Sequence, residues 1–306
     1  MKKDLLRVAD LSREEMEELL NLSSRLKAEP KRMEKDLPLR GRTLGLIFEK
    51  SSTRTRISFE VGMYQLGGHS LFLSSQDLQM GRGETIADTA RVLSRYLDGL
   101  VVRTFGHERV EEMARWASIP VINGLSDQHH PCQVLADLLT IREKKGTLPG
   151  IRVAYVGDGN NMANSWMEGA SRWGIDLRLA CPPGYEPDRD LFEQARRETA
   201  RFGGRIEITH NPMEAVEGAD VVYTDVWTSM GQEGEREERL RAFRGFQVGR
   251  QLLGRAKPEA LVMHCLPAHR GEEITDEVMD GPRSVVWDQA ENRLHVQKAI
   301  LLQLLT

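Results

Sequence analysis

The chain has 306 residues, enough for two ordinary domains each with its own core, and 40% of them are hydrophobic. A net charge of −4 gives no general attraction for nucleic acid, and no run of about 18 apolar residues offers a membrane-spanning helix. Asp10, Arg13 and Glu14 interrupt any apolar stretch of a signal peptide, and three cysteines without Cys-x-x-Cys spacing, Cys132, Cys181 and Cys265, suit a reducing cytoplasm.

Between residues 5 and 26, Leu, Met and Val recur at helical intervals, and Ser12 with Glu15 forms a capping box for a packing helix over 13–26. Thr43-Leu44-Gly45-Leu46-Ile47-Phe48 is an apolar run of strand length. It feeds Ser51-Ser52-Thr53-Arg54-Thr55-Arg56, after which a largely buried helix continues to Gly67-Gly68. Four hydroxyls and two guanidiniums thus stand where the first backbone N–H groups of a helix lack partners and its dipole favours negative charge. Ser52, Thr53 and Thr55 offer hydroxyl donors and Arg54 a planar fork, so the stretch reads as a phosphate cradle; the plain alternative is an N-cap with solvated arginines. Arginines in a first turn oppose the dipole, which favours the cradle.

Residues 70–73 read as a second strand, 74–84 as a polar, glycine-rich mobile loop containing Gln79, and 85–97 as a helix. Gly99-Leu100-Val101-Val102-Arg103 is a buried strand that sets Arg103 at its carboxyl end, the edge at which open parallel sheets bind ligands. A helix over 109–117 and a strand over 120–123 lead to His129-His130-Pro131-Cys132-Gln133, which opens a helix running through 139. Pro131 suits the first helical position, and His130 and Gln133 are close enough to converge on one ligand. His129, His130 and Cys132, and His264 beside Cys265, raise the question of zinc. Neither group has structural-site spacing, and no metal is assigned.

A charged and turn-forming stretch, 143–150, marks a boundary. Residues 1–148 form one domain and 149–288 a second, with a helix over 289–306 packing back onto the first. Strands at 152–156, 176–180, 205–208 and 219–224 alternate with helices at 163–173, 188–202 and 212–216, which predicts a parallel sheet. The turn Gly157-Asp158-Gly159-Asn160-Asn161-Met162 invites a dinucleotide reading, but Met162 replaces the third glycine, and its asparagines suit a zwitterionic amino acid. Asp225-Val226-Trp227-Thr228-Ser229-Met230-Gly231 begins a lid-like loop followed by a solvated charged helix face. The strand 260–263 delivers His264-Cys265-Leu266-Pro267 to its carboxyl edge, 285–287 is a short strand, and Arg293 lies early in the last helix. The fold class is therefore α/β: two doubly wound domains, each with a mainly parallel sheet flanked by helices, and an active site in the cleft between them.

The cradle, Arg103, His130-Pro131-Cys132-Gln133, Asp225 with Ser229-Met230-Gly231, and His264-Cys265-Leu266-Pro267 occur in the order found in the aspartate/ornithine carbamoyltransferases, and the chain resembles that family throughout. The resemblance is nearer the ornithine branch, since the loop 77–83 has Arg82 as its only cation where the aspartate branch carries a lysine. It implies transfer of the carbamoyl group of carbamoyl phosphate to L-ornithine, giving citrulline, within arginine metabolism and without a cofactor. It implies that Ser52, Thr53, Arg54, Thr55 and Arg103 bind the phosphate, that His130 and Gln133 hold the carbamoyl group, and that Arg293 also serves carbamoyl phosphate. Asn161, Asp225, Ser229 and Met230 would bind ornithine, with Cys265 and Leu266 where the two substrates meet. Gln79, on a loop that reaches a neighbouring subunit in this family, implies a homo-oligomer, a trimer or an assembly of trimers.

Ornithine's δ-ammonium must lose a proton before it attacks, and Asp225 and Cys265 are both candidates to receive it. Donors from Thr55, Arg103 and His130 would meet the oxyanion. Two other readings compete: a nicotinamide-dependent oxidoreductase using Gly157-Asp158-Gly159, and a non-catalytic phosphometabolite-binding protein.

Overall fold

In the computed structural model, which describes residues 4–28, 37–74 and 78–306, the Ser12 hydroxyl accepts from Glu15 N at 3.1 Å and the Glu15 carboxylate from Ser12 N at 2.7 Å. This capping box starts α1 (Arg13–Ala28). The first apolar run is β1 (Thr43–Phe48), followed by α2 (Thr53–Gln65), β2 (His69–Ser74), α3 (Ile86–Leu93), β3 (Gly99–Arg103), α4 (His107–Trp116), β4 (Val121–Leu125) and α5 (Pro131–Lys145). The strands pair in parallel in the order β2-β1-β3-β4. From β1 the chain runs outward to β2 and then returns to β3 and β4 on the other side. The topological switch therefore lies between the carboxyl ends of β1 and β3.

Three expectations for this half are corrected. Residues 94–97 leave the helix because the Ser94 hydroxyl bonds the Ala90 carbonyl at 2.7 Å and the amides of Arg95 and Tyr96 reach only three residues back. Helix α5 continues past 139: it is buried without a break from Pro131 to Ile141, which erases its periodicity, and Arg142, Lys144 and Lys145 suit its carboxyl end. Within the loop 74–84, Gln79–Arg82 forms a 3₁₀ turn, while residues 75–77 lie outside the described ones.

The second half contains β5 (Arg152–Val156), α6 (Asn161–Trp173), β6 (Asp176–Ala180), α7 (Arg189–Thr199), β7 (Arg205–Thr209), α8 (Pro212–Val216) and β8 (Val221–Thr224). After these come α9 (Arg236–Ala242), α10 (Arg250–Leu253), β9 (Leu261–His264) and α11 (Asp276–Met279). Its sheet is again parallel, in the order β7-β6-β5-β8-β9, so its switch lies between β5 and β8. The one-turn helices α10 and α11 are too short to leave a period in the sequence. The strand expected at 285–287 is reduced to one bridge, Val262 to Ser284, because Gln289 N already bonds the Val285 carbonyl at 2.9 Å and opens α12 (Val286–Leu305).

The chain divides into a unit of residues 1–139 with 291–306 and a unit of 140–290. The change of unit falls inside α5, ahead of the turn at Pro149-Gly150 from which the sequence boundary was drawn, and falls again inside α12.

Candidate active site

Both switch points carry clustered polar side chains. In the first unit, Ser52 is the N-cap of α2, its hydroxyl accepting from Thr55 N at 3.2 Å. The cap and cradle readings are therefore compatible, because a hydroxyl that accepts still has its own proton to donate. Thr53 is exposed, Arg54 half-buried and Thr55 buried. Arg56 does not belong to the cradle: it pairs with Glu60 at 2.9 Å and lies 3.6 Å from the centre of the Phe72 ring. Arg103 arrives from the neighbouring strand end, buried, where the register between β3 and β4 shifts.

Arg293, from α12, is 2% exposed and fixes two of these groups. Its Nη2 donates to the Thr55 hydroxyl at 3.0 Å and its Nη1 to the Gln133 carbonyl oxygen at 2.6 Å, while the Gln133 amide donates to Asp137 at 2.8 Å. His130 is buried beside them. Burial first, and then the charges of Arg293, Arg103 and Arg54, hold its imidazole well below the usual range, so it is neutral at pH 7. The first unit therefore gathers three guanidiniums, a neutral imidazole, a hydroxyl and a helix N-terminus. That set suits a phosphate ester or anhydride carrying a polar carbonyl.

In the second unit, Asn160 is the N-cap of α6, accepting from Met162 N and Ala163 N, and it holds Asp225 at the end of β8 through Nδ2 to Oδ2 at 3.0 Å. The Cys265 thiol donates to the other Asp225 oxygen at 2.8 Å. Asp225 is buried and Cys265 half-buried, so the carboxylate is oriented from both sides. Asn161 is the first residue of α6. Ser229 and Met230 lie in a turn whose amides are held by side chains ahead of them, Ser229 N by Gln232 at 3.1 Å and Gly231 N by Glu233. The turn is anchored from α9: buried Arg239 donates to the Trp227 carbonyl and to Asp158, both at 3.0 Å. Burial outweighs that attraction and pushes the Asp158 carboxyl up to about 6.

The structure brings together Thr55, Gln133 and Arg293 by hydrogen bonds, and Arg54, Arg103 and His130 by charge; in the other unit it joins Asp225 to Cys265. Gln79 is exposed at the start of its 3₁₀ turn, and among the described residues no hydrogen bond joins its side chain to the cluster. Sequence reasoning marked both asparagines of the turn but carried only Asn161 into the site, although Asn160 is the one that holds Asp225, and it missed Glu273, which pairs with His264 at 3.0 Å. Asp225, His264 and Cys265 place donor atoms within 4.8 Å of one another, a set a metal can use, yet both His264 nitrogens are already engaged, by Leu266 N and by Glu273. The glycine turn has a local cause. A Cβ on Gly159 would lie 2.2 Å from Pro187 N, and Gly159 N donates to the Tyr185 carbonyl at 2.8 Å, so close packing against the chain's own backbone requires the glycine.

Comparison with known proteins gives this geometry a family. Residues 3–143 match the carbamoyl-phosphate-binding domain of the aspartate/ornithine carbamoyltransferases, and residues 149–304 match their aspartate/ornithine-binding domain. The chain belongs to that family. It is 58% identical to an ornithine carbamoyltransferase of Symbiobacterium thermophilum, over 98% of this chain and 96% of the relative. It is 56% identical to an anabolic ornithine carbamoyltransferase of Pyrococcus furiosus, over 98% and 95%. Among solved structures, the ornithine carbamoyltransferase of Pyrococcus furiosus superposes with a TM-score of 0.95, covering 99% of this chain and 96% of that one at 56% identity. The anabolic enzyme of Campylobacter jejuni gives 0.93 at 42% identity, covering 99% of each.

Proposed function

We infer that this chain is an ornithine carbamoyltransferase, which moves the carbamoyl group of carbamoyl phosphate to the δ-amine of L-ornithine and releases L-citrulline and phosphate, in arginine biosynthesis. Relatives named for that activity at 55–58% identity support the reading. The observation that carries it is the convergence of Arg54, Arg103 and Arg293 on a neutral His130 at the N-terminus of α2.

In this reading Ser52, Thr53, Arg54, Thr55 and Arg103 take the phosphate. Thr55 donates its hydroxyl proton because its oxygen already accepts from Arg293. Arg293 orients Thr55 and Gln133 for the carbamoyl group as well as adding charge. The δ-nitrogen attacks the carbamoyl carbon, the carbonyl oxygen gains charge as the tetrahedral intermediate forms, and the bond to the phosphate oxygen then breaks. Neutral His130 donates its single N–H to the oxyanion, and Thr55 and Arg103 assist. Asp225 receives the ammonium, Cys265 and Leu266 line the reacting end, and Asn161, Ser229 and Met230 hold the amino-acid head group. The proton that the amine loses goes to the Asp225–Cys265 pair, whose two groups are joined by a hydrogen bond.

The assembly is a homotrimer or a set of trimers in the cytoplasm, with Gln79 serving a neighbouring subunit's site. Supporting this, Ile57, Val61 and Tyr64 line one exposed face of α2, and Leu71 is exposed on the edge strand β2, apolar side chains that a neighbouring subunit would cover. Among the described residues no helix is long and apolar enough to cross a membrane.

The test is citrulline formation from carbamoyl phosphate with L-ornithine, beside aspartate, putrescine and N-acetylornithine, for the wild type and Arg54→Ala. Turnover with ornithine alone, reduced at least 100-fold in the variant, is the expected result. Preference for another acceptor refutes the ornithine assignment, and turnover untouched by Arg54→Ala refutes the cradle.

A further inference from the structure

One buried pair lies outside every role assigned above. His264 and Glu273 have side chains 0% exposed, and His264 Nε2 stands 3.0 Å from Glu273 Oε1. The other ring nitrogen, Nδ1, accepts from Leu266 N at 2.9 Å. Nδ1 must therefore carry a lone pair, so the proton is on Nε2 and is given to Glu273. The same Glu273 oxygen accepts from His269 N at 2.5 Å, which fixes the carboxylate in turn. His264 N donates to Gln289 at 3.0 Å, so ring and backbone are both held.

The segment held in this way is unusual. Leu266 has φ of +60°, the one left-handed non-glycine residue among those described. Such a conformation persists only where its surroundings impose it. Cys265 lies between the clamped amide and His264, and its thiol meets Asp225 at 2.8 Å.

We propose that Glu273 is a positioning residue for carbamoyl transfer: it fixes His264 as the Nε2–H tautomer, whose Nδ1 holds Leu266 in its left-handed conformation and so aims the Cys265 thiol at Asp225. The proposal rests on the carbamoyltransferase reading for its effect on turnover. The clamp itself does not depend on that reading. Glu273 touches no substrate and acts only through His264.

Three measurements test it. In the wild type, nitrogen-15 shifts of His264 should report an unprotonated Nδ1; a protonated Nδ1 overturns the proposal without any variant. Glu273→Leu should lower kcat on the order of 100-fold, the loss expected when reacting groups are displaced by about 1 Å, with KM for carbamoyl phosphate unchanged. Glu273→Gln, which keeps a carbonyl acceptor, should recover most of that loss. Alkylation of Cys265 by iodoacetamide, read by peptide mapping, should be at least tenfold faster in Glu273→Leu than in the wild type. Cys265 is the half-buried cysteine, whereas Cys132 and Cys181 are buried and have thiols that burial pushes up. Equal alkylation with kcat within twofold of wild type sinks the clamp and leaves the carbamoyltransferase reading standing. Altered alkylation in a chain with no ornithine turnover supports the clamp and sinks that reading.

Discussion

Acid should loosen the first unit through a residue that touches no substrate. His129 is 2% exposed, with its ring 4.7 Å from that of His107 in an edge-on contact. Burial first, and then the neighbouring His107 and Arg7, lower its imidazole to about 3 from an ordinary 6.5. Because the folded value is depressed, its stabilisation is complete above about pH 6.5 and is lost as pH falls towards 3. Between pH 7 and pH 5 the unfolded chain takes up a proton that the folded chain refuses, which costs the folded state about 2 kcal/mol. His129→Phe keeps a ring against His107 and removes the titration. Urea unfolding of both proteins at pH 7, 6 and 5 should give a variant whose loss of stability over this range is smaller by about 2 kcal/mol. Any constant offset from its altered hydrogen bonding cancels in the comparison. Parallel curves for the two proteins would refute the reasoning. Burial depresses His107 as well, so some acid sensitivity should remain in the variant.

Thr55→Val deprives Arg293 of its acceptor at nearly constant shape; stability should fall by about 1.5–3 kcal/mol, and KM for carbamoyl phosphate should rise while that for ornithine holds, as steady-state kinetics will show. Asn160→Ala removes a cap worth about 1 kcal/mol and one of the two grips on Asp225, so its effect should fall on ornithine KM and leave carbamoyl-phosphate binding by calorimetry unchanged. Below about pH 6 Asp158 takes up a proton and its hold on Arg239 weakens, so ornithine KM should rise more steeply with acid in the wild type than in Asp158→Asn. Tyr64→Glu combined with Leu71→Arg should dissociate the assembly in sedimentation velocity, and an unchanged sedimentation coefficient would place the interface elsewhere.

The central strands were readable because both faces of a parallel sheet are covered, which makes them unbroken apolar runs, as in 44–48 and 99–102. Helix ends were less so: the stop at Ser94 depends on one hydroxyl turning back on the chain, and the extension of α5 on burial from all sides. The cradle stood out in sequence because its hydroxyls and Arg54 are neighbours in the chain. Arg56 looked equivalent to Arg54, although Glu60, four residues on, was a visible sign that it turns along the helix instead. Between Asn160 and Asn161 sequence offers no choice; the geometry of a cap, which aims the first side chain back at the helix amides, makes Asn160 the residue that reaches Asp225. Gly159 looked like a nucleotide signature because its packing partner, the backbone at 185–187, is remote in sequence.

Arg293 reaches Thr55 across 238 positions of sequence and Gln133 across 160. A ribosome exposes the chain from its N-terminus, and domains fold largely as they emerge. The strands of the sheet β2-β1-β3-β4 are all synthesised once residue 125 is out, but the guanidinium that bonds Thr55 and Gln133 comes only with the final helix. An interrupted translation product therefore lacks the guanidinium that holds Thr55 and Gln133, and those two hydrogen bonds can form only after the second unit has also been made.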